Sequence, residues 1–521
     1  MWPFFIGVFV TVLAAPALAQ EESTPSDAPI QLAELTTPAL ASEAPPGRVG
    51  RLSLVSGNAS VRASEEWLDA VLNYPVAAGQ SLRTGAQARA EIEIGADAIE
   101  LAPDTEIEIT GLDDRTIEVA VVKGRIGFAL RRLGDDESVN VEVSGEAVRL
   151  LQPGRYDIDA SARRVAVLQG EALSGRSGST EVTIQQAIPD DFIEWCRSRD
   201  YDEKRLAAPY YVSPHMTGFA ELDAAGSWES TAEYGTVWVP TGLPADWAPY
   251  RDGHWRWIAP WGWTWIDDQP WGFVSSHYGR WAFVAEHWAW VPGSLVEYPV
   301  YAPAMVAFLG TAGVGLSVAD SNGPAIAWFP LAPGEPYWPS YSRDLAYVRG
   351  LNQGVVSDLG TIQLDGNGEP PLEVFDRAFA NRGFASVVPR RVFINGSAVA
   401  PALLTLPEQR LQDAPVLMGS PQVGPAAHRV AVAAPTIARP GRAQWVNHVA
   451  ALVARSLSRA KALQTAFMHR RDPDRTPRLH GAHLRAPAYA QSTAPRHMIL
   501  LRVAHAAPAP AHGAAGKGSR H

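Results

Sequence analysis

The sequence predicts a mainly β protein, and two patterns support that prediction. In the first third of the chain, apolar and polar residues alternate in short runs, as at 90–94 and 117–121. A period of two places successive side chains on opposite faces of a strand, and recurring glycines supply the turns. In the middle of the chain, fourteen of the eighteen tryptophans lie between Trp228 and Trp338, and many of them also alternate. Both regions are therefore expected to form short antiparallel strands.

The N-terminus predicts export. Residues 4–15 form a short apolar run, and Ala-Leu-Ala at 17–19 fits a small-x-small cleavage site before Gln20. Residues 1–19 are thus interpreted as a secretory signal peptide, because the run is shorter than the roughly 20 residues of a membrane helix. The mature protein is expected in the periplasm or outside the cell. No later segment predicts a membrane span.

Residues 20–48 are rich in Pro, Ala, Ser, Thr and Glu and are predicted to be a disordered tether. Residues 49–174 are predicted to be an all-β domain, a sandwich or a roll. The acidic residues in its alternating runs, such as Glu91 and Glu93, are expected on the solvated faces of half-buried strands. This domain is expected to fold alone.

Several short motifs in this domain form a set. They include Gly-Arg-Leu-Ser-Leu-Val-Ser-Gly at 50–57, Leu-Arg-Thr-Gly at 82–85, Val-Lys-Gly-Arg at 122–125 and Gly-Arg-Tyr at 154–156. The stretch resembles a FecR-like periplasmic domain. Relatives of the iron-citrate-sensor type pass a signal from an outer-membrane receptor to a cytoplasmic sigma factor, through a cytoplasmic arm and one membrane helix. Here a cleavable signal and a tether are predicted in their place, so the resemblance implies chiefly the fold.

A connecting helix is predicted over residues 188–207, with Asp190 or Asp191 as its N-cap. Its apolar and flanking positions follow at helical spacing, and they are Phe192, Trp195, Cys196 and Arg199. Cys196 is the only cysteine of the chain, so no internal disulfide can form. No basic cluster is evident beside it, and the sequence therefore predicts a buried, inert thiol.

Residues 208–400 are predicted to be a Trp-rich antiparallel β domain. Characteristic motifs are Tyr-Val-Ser-Pro at 211–214 and Trp-Ala-Trp-Val-Pro-Gly at 288–293. The sequence pattern resembles a Trp-rich domain of unknown function that follows FecR-like domains in proteobacterial envelope proteins. The similarity extends from near Asp191 to Phe393. The resemblance implies no known activity and no functional residues.

The alternating tryptophans have two interpretations. They form the core of a small β domain, or they form a platform on which sugar rings stack while nearby polar groups bind the hydroxyls. The candidate ligand-binding residues are Trp255, Trp257, Trp261, Trp263, Trp265, Trp281, Asp252, Asp267, Asp268 and Arg280. The two interpretations are compatible with each other.

Other candidate chemistry is weaker. His254, His277 and His287 match no metal-ligand spacing, and the segment 365–369 favours a turn over a calcium loop. No metal site and no cofactor are predicted. No complete catalytic motif is present, so an enzyme is not expected.

The C-terminal part, residues 401–521, is predicted to be a largely disordered tail with one amphipathic helix near 442–470. From Pro421 onward it carries 15 Lys+Arg and 2 Asp+Glu, whereas the remainder carries 29 and 53. This asymmetry predicts contact between the tail and anionic surfaces. Nucleic acid is not an expected partner of an exported chain.

Three functional hypotheses follow. The first is a non-catalytic envelope binding or scaffold protein whose ligand is a glycan, peptidoglycan or another envelope protein. The second, from the FecR-like resemblance, is an envelope sensor or regulatory partner. The third is a cell-wall polysaccharide hydrolase, which would need Asp252 with Asp267 or Asp268 on the two sides of a cleft.

Overall fold

The computed structural model describes residues 44–425, apart from 64–65, 175–182, 202, 312–314, 317–322, 367–368, 372–373, 376–377 and 418. The predicted signal peptide, nearly all of the tether and the predicted helix near 442–470 lie outside the described residues. Within them the protein is mainly β, which confirms the predicted fold class.

The first sixteen strands belong to two eight-stranded sheets. They are β1 (Gly50–Ser56), β2 (Ala59–Arg62), β3 (Trp67–Asp69), β4 (Pro75–Val76), β5 (Ser81–Thr84), β6 (Arg89–Ile94), β7 (Asp97–Leu101), β8 (Glu106–Leu112), β9 (Thr116–Lys123), β10 (Arg125–Leu130), β11 (Ser138–Val143), β12 (Glu146–Leu150), β13 (Gly154–Asp159), β14 (Arg164–Gln169), β15 (Ala172–Ser174) and β16 (Thr183–Gln186).

Sheet A has the strand order β16-β14-β13-β10-β7-β6-β1-β4, and sheet B has the order β15-β12-β11-β9-β8-β5-β2-β3. Neighbouring strands are antiparallel except for the pairs β9–β11 and β14–β16. Apolar side chains of both sheets, such as Ile92 and Ile99 of sheet A and Val61 and Ile107 of sheet B, belong to one buried cluster. The two sheets therefore pack as a sandwich.

The outer faces of the two sheets differ. On sheet B the strands alternate between buried and half-buried residues, as expected for one packed and one solvated face. On sheet A, β6 and β7 are buried on both faces, and Glu91, Glu93 and Glu100 are 2%, 7% and 0% exposed. The expectation that Glu91 and Glu93 are solvated is therefore wrong, because later parts of the chain cover this face.

The remaining elements follow in the second half. The strands are β17 (Gly226–Thr231), β18 (Gly235–Pro240), β19 (Gly253–Ile258), β20 (Gly262–Asp267), β21 (Arg280–Val284), β22 (His287–Val291), β23 (Val306–Leu309), β24 (Ala325–Pro330), β25 (Ser386–Pro389) and β26 (Val416–Leu417). The helices are α1 (Asp191–Ser198), α2 (Leu222–Ala225), α3 (Gly272–His277), α4 (Leu345–Asn352), α5 (Arg390–Ile394) and α6 (Glu408–Asp413).

These strands form three antiparallel sheets, which confirms the antiparallel prediction for the Trp-rich region. Sheet C has the order β17-β18-β22-β21, sheet D pairs β19 with β20, and sheet E has the order β25-β24-β23-β26. Strand β26 and helix α6 follow residue 400, where the tail is predicted to begin. The packed chain thus continues past that predicted boundary, and Val423 is still 3% exposed.

Helix α1 covers part of the outer face of sheet A. The Asp190 carboxylate accepts hydrogen bonds from the backbone N–H groups of Phe192 and Ile193, so Asp190 is the N-cap. Cys196 faces the sheet and is 2% exposed, which confirms the predicted burial of the thiol. Burial raises the pKa of Cys196 above its usual range, and this thiol is therefore not activated.

Buried polar contacts join the sandwich to the Trp-rich region. Arg51 is fully buried, and its guanidinium donates to Glu93 and Glu221, both at 2.8 Å, and to the carbonyl of Pro270 at 2.7 Å. The amide of Asn73 donates to the carbonyls of Asp267 and Gln269. The hydrophobic cluster of the sandwich also continues into the tryptophans. The two β regions share one core in this structure.

Candidate functional site

Two groups of tryptophans arise from strand pairing. On sheet C, register places four indoles in one cross-strand row, which consists of Trp228, Trp238, Trp290 and Trp281. On sheet D, Trp255 lies opposite Trp265, and Trp257 lies opposite Trp263. Each group occupies one sheet face, as the period-two spacing predicts.

Burial separates the predicted ligand-binding tryptophans into two classes. Five of the six are at most 2% exposed, and these are Trp255, Trp261, Trp263, Trp265 and Trp281. Trp257 differs, because its exposed fraction is 47%. The buried indoles contact other rings instead of solvent, as Trp255 does with Trp265 at 5.5 Å and with Trp328 at 5.4 Å between ring centroids. Their faces are therefore covered by protein.

Several buried indoles are also anchored by hydrogen bonds. Trp281 donates from Nε1 to the carbonyl of Ser275 at 3.0 Å, and Trp263 donates to the carbonyl of Val423 at 2.8 Å. The Trp265 indole donates to the Asp267 carboxylate at 2.9 Å. Buried Trp N–H groups usually need such partners, so these contacts are typical of core positions.

Trp257 lies near the end of the β19–β20 hairpin. Its ring meets Trp263 edge-on, with ring centroids 5.6 Å apart. Gly262 lies against the ring, because a Cβ placed on that glycine would be 3.3 Å from Cη2 of Trp257. The neighbouring Arg256 donates to the carbonyl of Asp69, which connects the hairpin to strand β3. The Trp257 indole is thus fixed in position by Trp263 and Gly262, and it is still partly exposed to solvent.

Asp267 is a structural acceptor. Its carboxylate binds the Trp265 indole and the backbone N–H of Gln269, and the residue is 7% exposed. Burial raises its pKa to about 7 despite these hydrogen bonds. A Cβ on Gly272 would lie 2.2 Å from the carboxylate, so this side is closed. The arrangement does not favour Asp267 as one of two carboxylates across an open cleft.

Asp252 and Asp268 lie at the opposite end of the hairpin from Trp257. The Asp268 N–H donates to the carbonyl of Asp252, and the Asp268 side chain is 60% exposed. Asp252 precedes Trp257 by five residues, which corresponds to about 16 Å along an extended strand. The structure therefore does not bring these carboxylates together with Trp257 around one sugar ring.

Arg280 is buried inside the Trp-rich region. Its guanidinium donates to Asn352 at 2.7 Å, to the carbonyl of Glu335 at 3.0 Å and to the carbonyl of Gly279 at 2.8 Å. Burial lowers its pKa to about 10. Arg280 is 1% exposed, so its guanidinium makes internal hydrogen bonds and does not face solvent.

The three histidines are dispersed. Within the described residues, no three His, Cys, Asp or Glu side chains form a group that could hold a metal ion. His277 is fully buried and contacts the carbonyl of Ala302 at 2.7 Å, and burial lowers its pKa to about 3. At the segment 365–369, the N–H of Glu369 and the side chain of Asp365 close a turn.

Sequence reasoning missed the polar residues on the outer face of sheet A. Arg155 pairs with Glu100 at 3.0 Å, and Arg199 binds Glu91 through two nitrogens, each at 2.9 Å. These residues alternate with apolar ones in the sequence, which is also the pattern of a solvated face. Charged residues of both signs within the strands β6, β7 and β13 were the available signal.

Comparisons with known proteins give one likeness. Residues 219–335 match a family of unknown function, DUF6600, and this stretch contains sheets C and D. The chain is similar to that family there, which fits the Trp-rich domain of unknown function that the sequence resembles. Comparisons with curated proteins and with solved structures give no match. Among the described residues, no helix is both long and apolar enough to cross a membrane.

Proposed function

We propose that this protein is a non-catalytic binding or scaffold protein of the cell envelope, and that Trp257 stacks on a glycan such as peptidoglycan. One observation carries the proposal. Trp257 is 47% exposed, whereas the other five predicted platform tryptophans are at most 2% exposed. The glycan site is therefore one indole and its surroundings, instead of a row of tryptophans.

The geometry supports stacking in two ways. The indole rests against Gly262 and Trp263, so the ring is held before a ligand arrives and little conformational freedom is lost on binding. The aromatic face also offers apolar area to the CH groups of a pyranose, as such rings do at many wet interfaces. Trp257 is therefore the residue on which the proposal depends.

The envelope location and the FecR-like assignment are part of the proposal. The predicted signal peptide supports the envelope location. The FecR-like assignment rests on the strand and turn motifs, and the sandwich of sheets A and B is consistent with it. A role as an envelope sensor or regulatory partner remains the alternative function. Genes for a sigma factor and an outer-membrane receptor beside this one would favour that alternative.

The test compares single variants of the full chain. Trp257→Ala is expected to weaken retention on insoluble peptidoglycan about tenfold while the thermal melt stays unchanged. Trp255→Ala is expected to lower the free energy of unfolding by about 3–5 kcal/mol, because it removes a core indole. Pull-down with increasing peptidoglycan and differential scanning calorimetry give the two readouts.

Phe283→Ala is the matched control, because Phe283 is another exposed aromatic residue, at 42%. It is expected to retain wild-type binding. The proposal fails if wild-type protein does not bind peptidoglycan, or if Trp257→Ala binds as well as the wild type.

A further inference from the structure

A groove of about 600 Å³ lies at one end of sheet A, and its lining residues all fall between 129 and 204. Its walls come from the ends of β10, β13 and β14, from the last turn of α1 and from the segment that follows this helix. The volume falls within the range of small-molecule sites, roughly 300–1,000 Å³. No sequence motif marks this groove.

Basic side chains dominate its lining. Four of the lining residues are cationic, Arg131, Arg155, Arg197 and Lys204, whereas Asp200 is the one carboxylate among them. Among the contacts of the described residues, Glu100 accepts from Arg155 and Glu194 accepts from Arg197, both at 3.0 Å. The lining itself is thus rich in cationic side chains, in a part of the chain, residues 1–420, that carries 29 Lys+Arg and 53 Asp+Glu.

Two guanidinium groups already converge on an anion. Arg131 donates to Oδ1 of Asp200 at 2.9 Å, and Arg155 donates to the same oxygen. Arg131 is held by the carbonyl of Ala96 at 2.7 Å and by the Tyr201 ring, 4.4 Å below its guanidinium. The arginine side chains are 14% and 10% exposed, whereas Asp200 is 37% exposed. The donors are therefore fixed, and the carboxylate is the accessible partner.

We propose that this groove binds the phosphate group of a phosphorylated ligand. The phosphate takes the place of the Asp200 carboxylate on Arg131 and Arg155, while Arg197 and Lys204 of the same lining add positive charge around it. A phosphate dianion carries more charge and more acceptor oxygens than a carboxylate, so it can accept from two guanidinium forks at the same time. The proposal is independent of the glycan site at Trp257, since it rests on different residues.

The experiment uses isothermal titration of the full chain with inorganic pyrophosphate at constant ionic strength. The variant Arg197→Ala/Lys204→Ala is expected to weaken binding at least about tenfold, because it removes two charged contacts. Asp200→Asn is expected to tighten binding, because it removes the competing internal anion. Arg149→Ala, an exposed arginine of β12 on sheet B, is the matched control and should bind as the wild type does.

Every variant keeps the basic segment after residue 420, so a difference between variants reports on the groove. A second arm measures flotation with vesicles of phosphatidylglycerol and phosphatidylcholine. Binding of both pyrophosphate and vesicles, weakened by the double variant, supports the site and identifies lipid headgroups as a source. Binding of pyrophosphate alone supports a soluble phosphorylated ligand. The proposal is overturned if the wild type binds neither probe, or if the double variant binds as well as the wild type.

Discussion

Glu100 shows how one buried side chain can make the protein sensitive to pH. It lies on β7 under α1, and Arg155 donates to its Oε1 atom at 3.0 Å. Its Oε2 atom has no hydrogen-bond partner among the described residues. Burial raises the pKa of Glu100 to about 7, while Arg155 opposes that rise and Glu91 adds to it. The carboxyl therefore holds its proton longer in the folded chain than in the unfolded chain.

The contribution of Glu100 to stability should fall as pH rises from about 4.5 to about 7. Below the ordinary pKa of 4.5 both states hold the proton, and as pH rises toward 7 the unfolded state loses it first. Glu100 alone contributes a slope of at most about 1.4 kcal/mol per pH unit. Glu100→Gln should remove this part of the pH dependence. Urea unfolding between pH 4.5 and 8 measures it.

Glu106→Gln, on the half-buried outer face of sheet B, serves as the control and should leave the slope unchanged. Equal slopes for the wild type and Glu100→Gln would show that Glu100 does not hold its proton in the folded state.

Among single residues, the tryptophans show how far sequence reasoning reaches. Alternation correctly places Trp255 and Trp257 on one face of β19. It does not reveal that Trp255 is 1% exposed and Trp257 is 47% exposed. That difference depends on Phe308, Trp328 and Phe393, which come from distant segments and pack against the ring of Trp255.

At the scale of elements, the contact between α1 and β10 depends on a glycine. Gly127 lies on the face of β10 that α1 covers, and a Cβ there would be 2.7 Å from Sγ of Cys196 and 2.7 Å from Oε2 of Glu100. Contacts this short force neighbours to move. The close approach of helix and sheet therefore requires the absence of a side chain at position 127.

Gly127→Ala should lower the free energy of unfolding by about 1–3 kcal/mol, the usual cost of overpacking. The double variant Gly127→Ala/Cys196→Ala should recover part of that loss, because it removes the Sγ atom. Urea unfolding of the two single variants and the double variant gives the coupling energy. Additive effects would mean that α1 does not press on Gly127.

Sequence reasoning found α1 but not its length. The predicted helix spans 188–207, whereas α1 spans Asp191–Ser198. The Asp190 cap follows from the residue type. The end does not, because it is set by Arg199, whose N–H bonds back to Cys196 and whose side chain binds Glu91 on the sheet. Such a contact over 108 residues leaves no local pattern.

At the scale of the whole molecule, the sandwich and the Trp-rich region are expected to unfold together. They share a hydrophobic cluster, and the fully buried Arg51 binds partners in both regions. Thermal melting of the full chain should therefore give one transition. Near-UV circular dichroism follows the tryptophans, and hydrogen exchange of peptides from β1 to β14 follows the sandwich.

Arg51→Met should shift both signals to lower temperature together, because it leaves Glu93 buried without its main partner. Exchange protection of the sandwich that survives loss of the near-UV signal would indicate two independent units.

The predicted independent folding of residues 49–174 is also open to a direct test. The isolated fragment would expose the outer face of sheet A to solvent. We therefore expect its thermal unfolding to show no cooperative transition.

The packing of the indoles also determines how the protein can be observed. The ring centroids of Trp255, Trp265 and Trp328 lie 5.4 to 6.3 Å apart. Indoles this close couple their electronic transitions and transfer excitation energy before they emit light. The total fluorescence of the chain will therefore be dominated by the coupled interior rings and will respond weakly to events at Trp257. A fluorine label placed at Trp257 alone would give a resonance that reports on this indole.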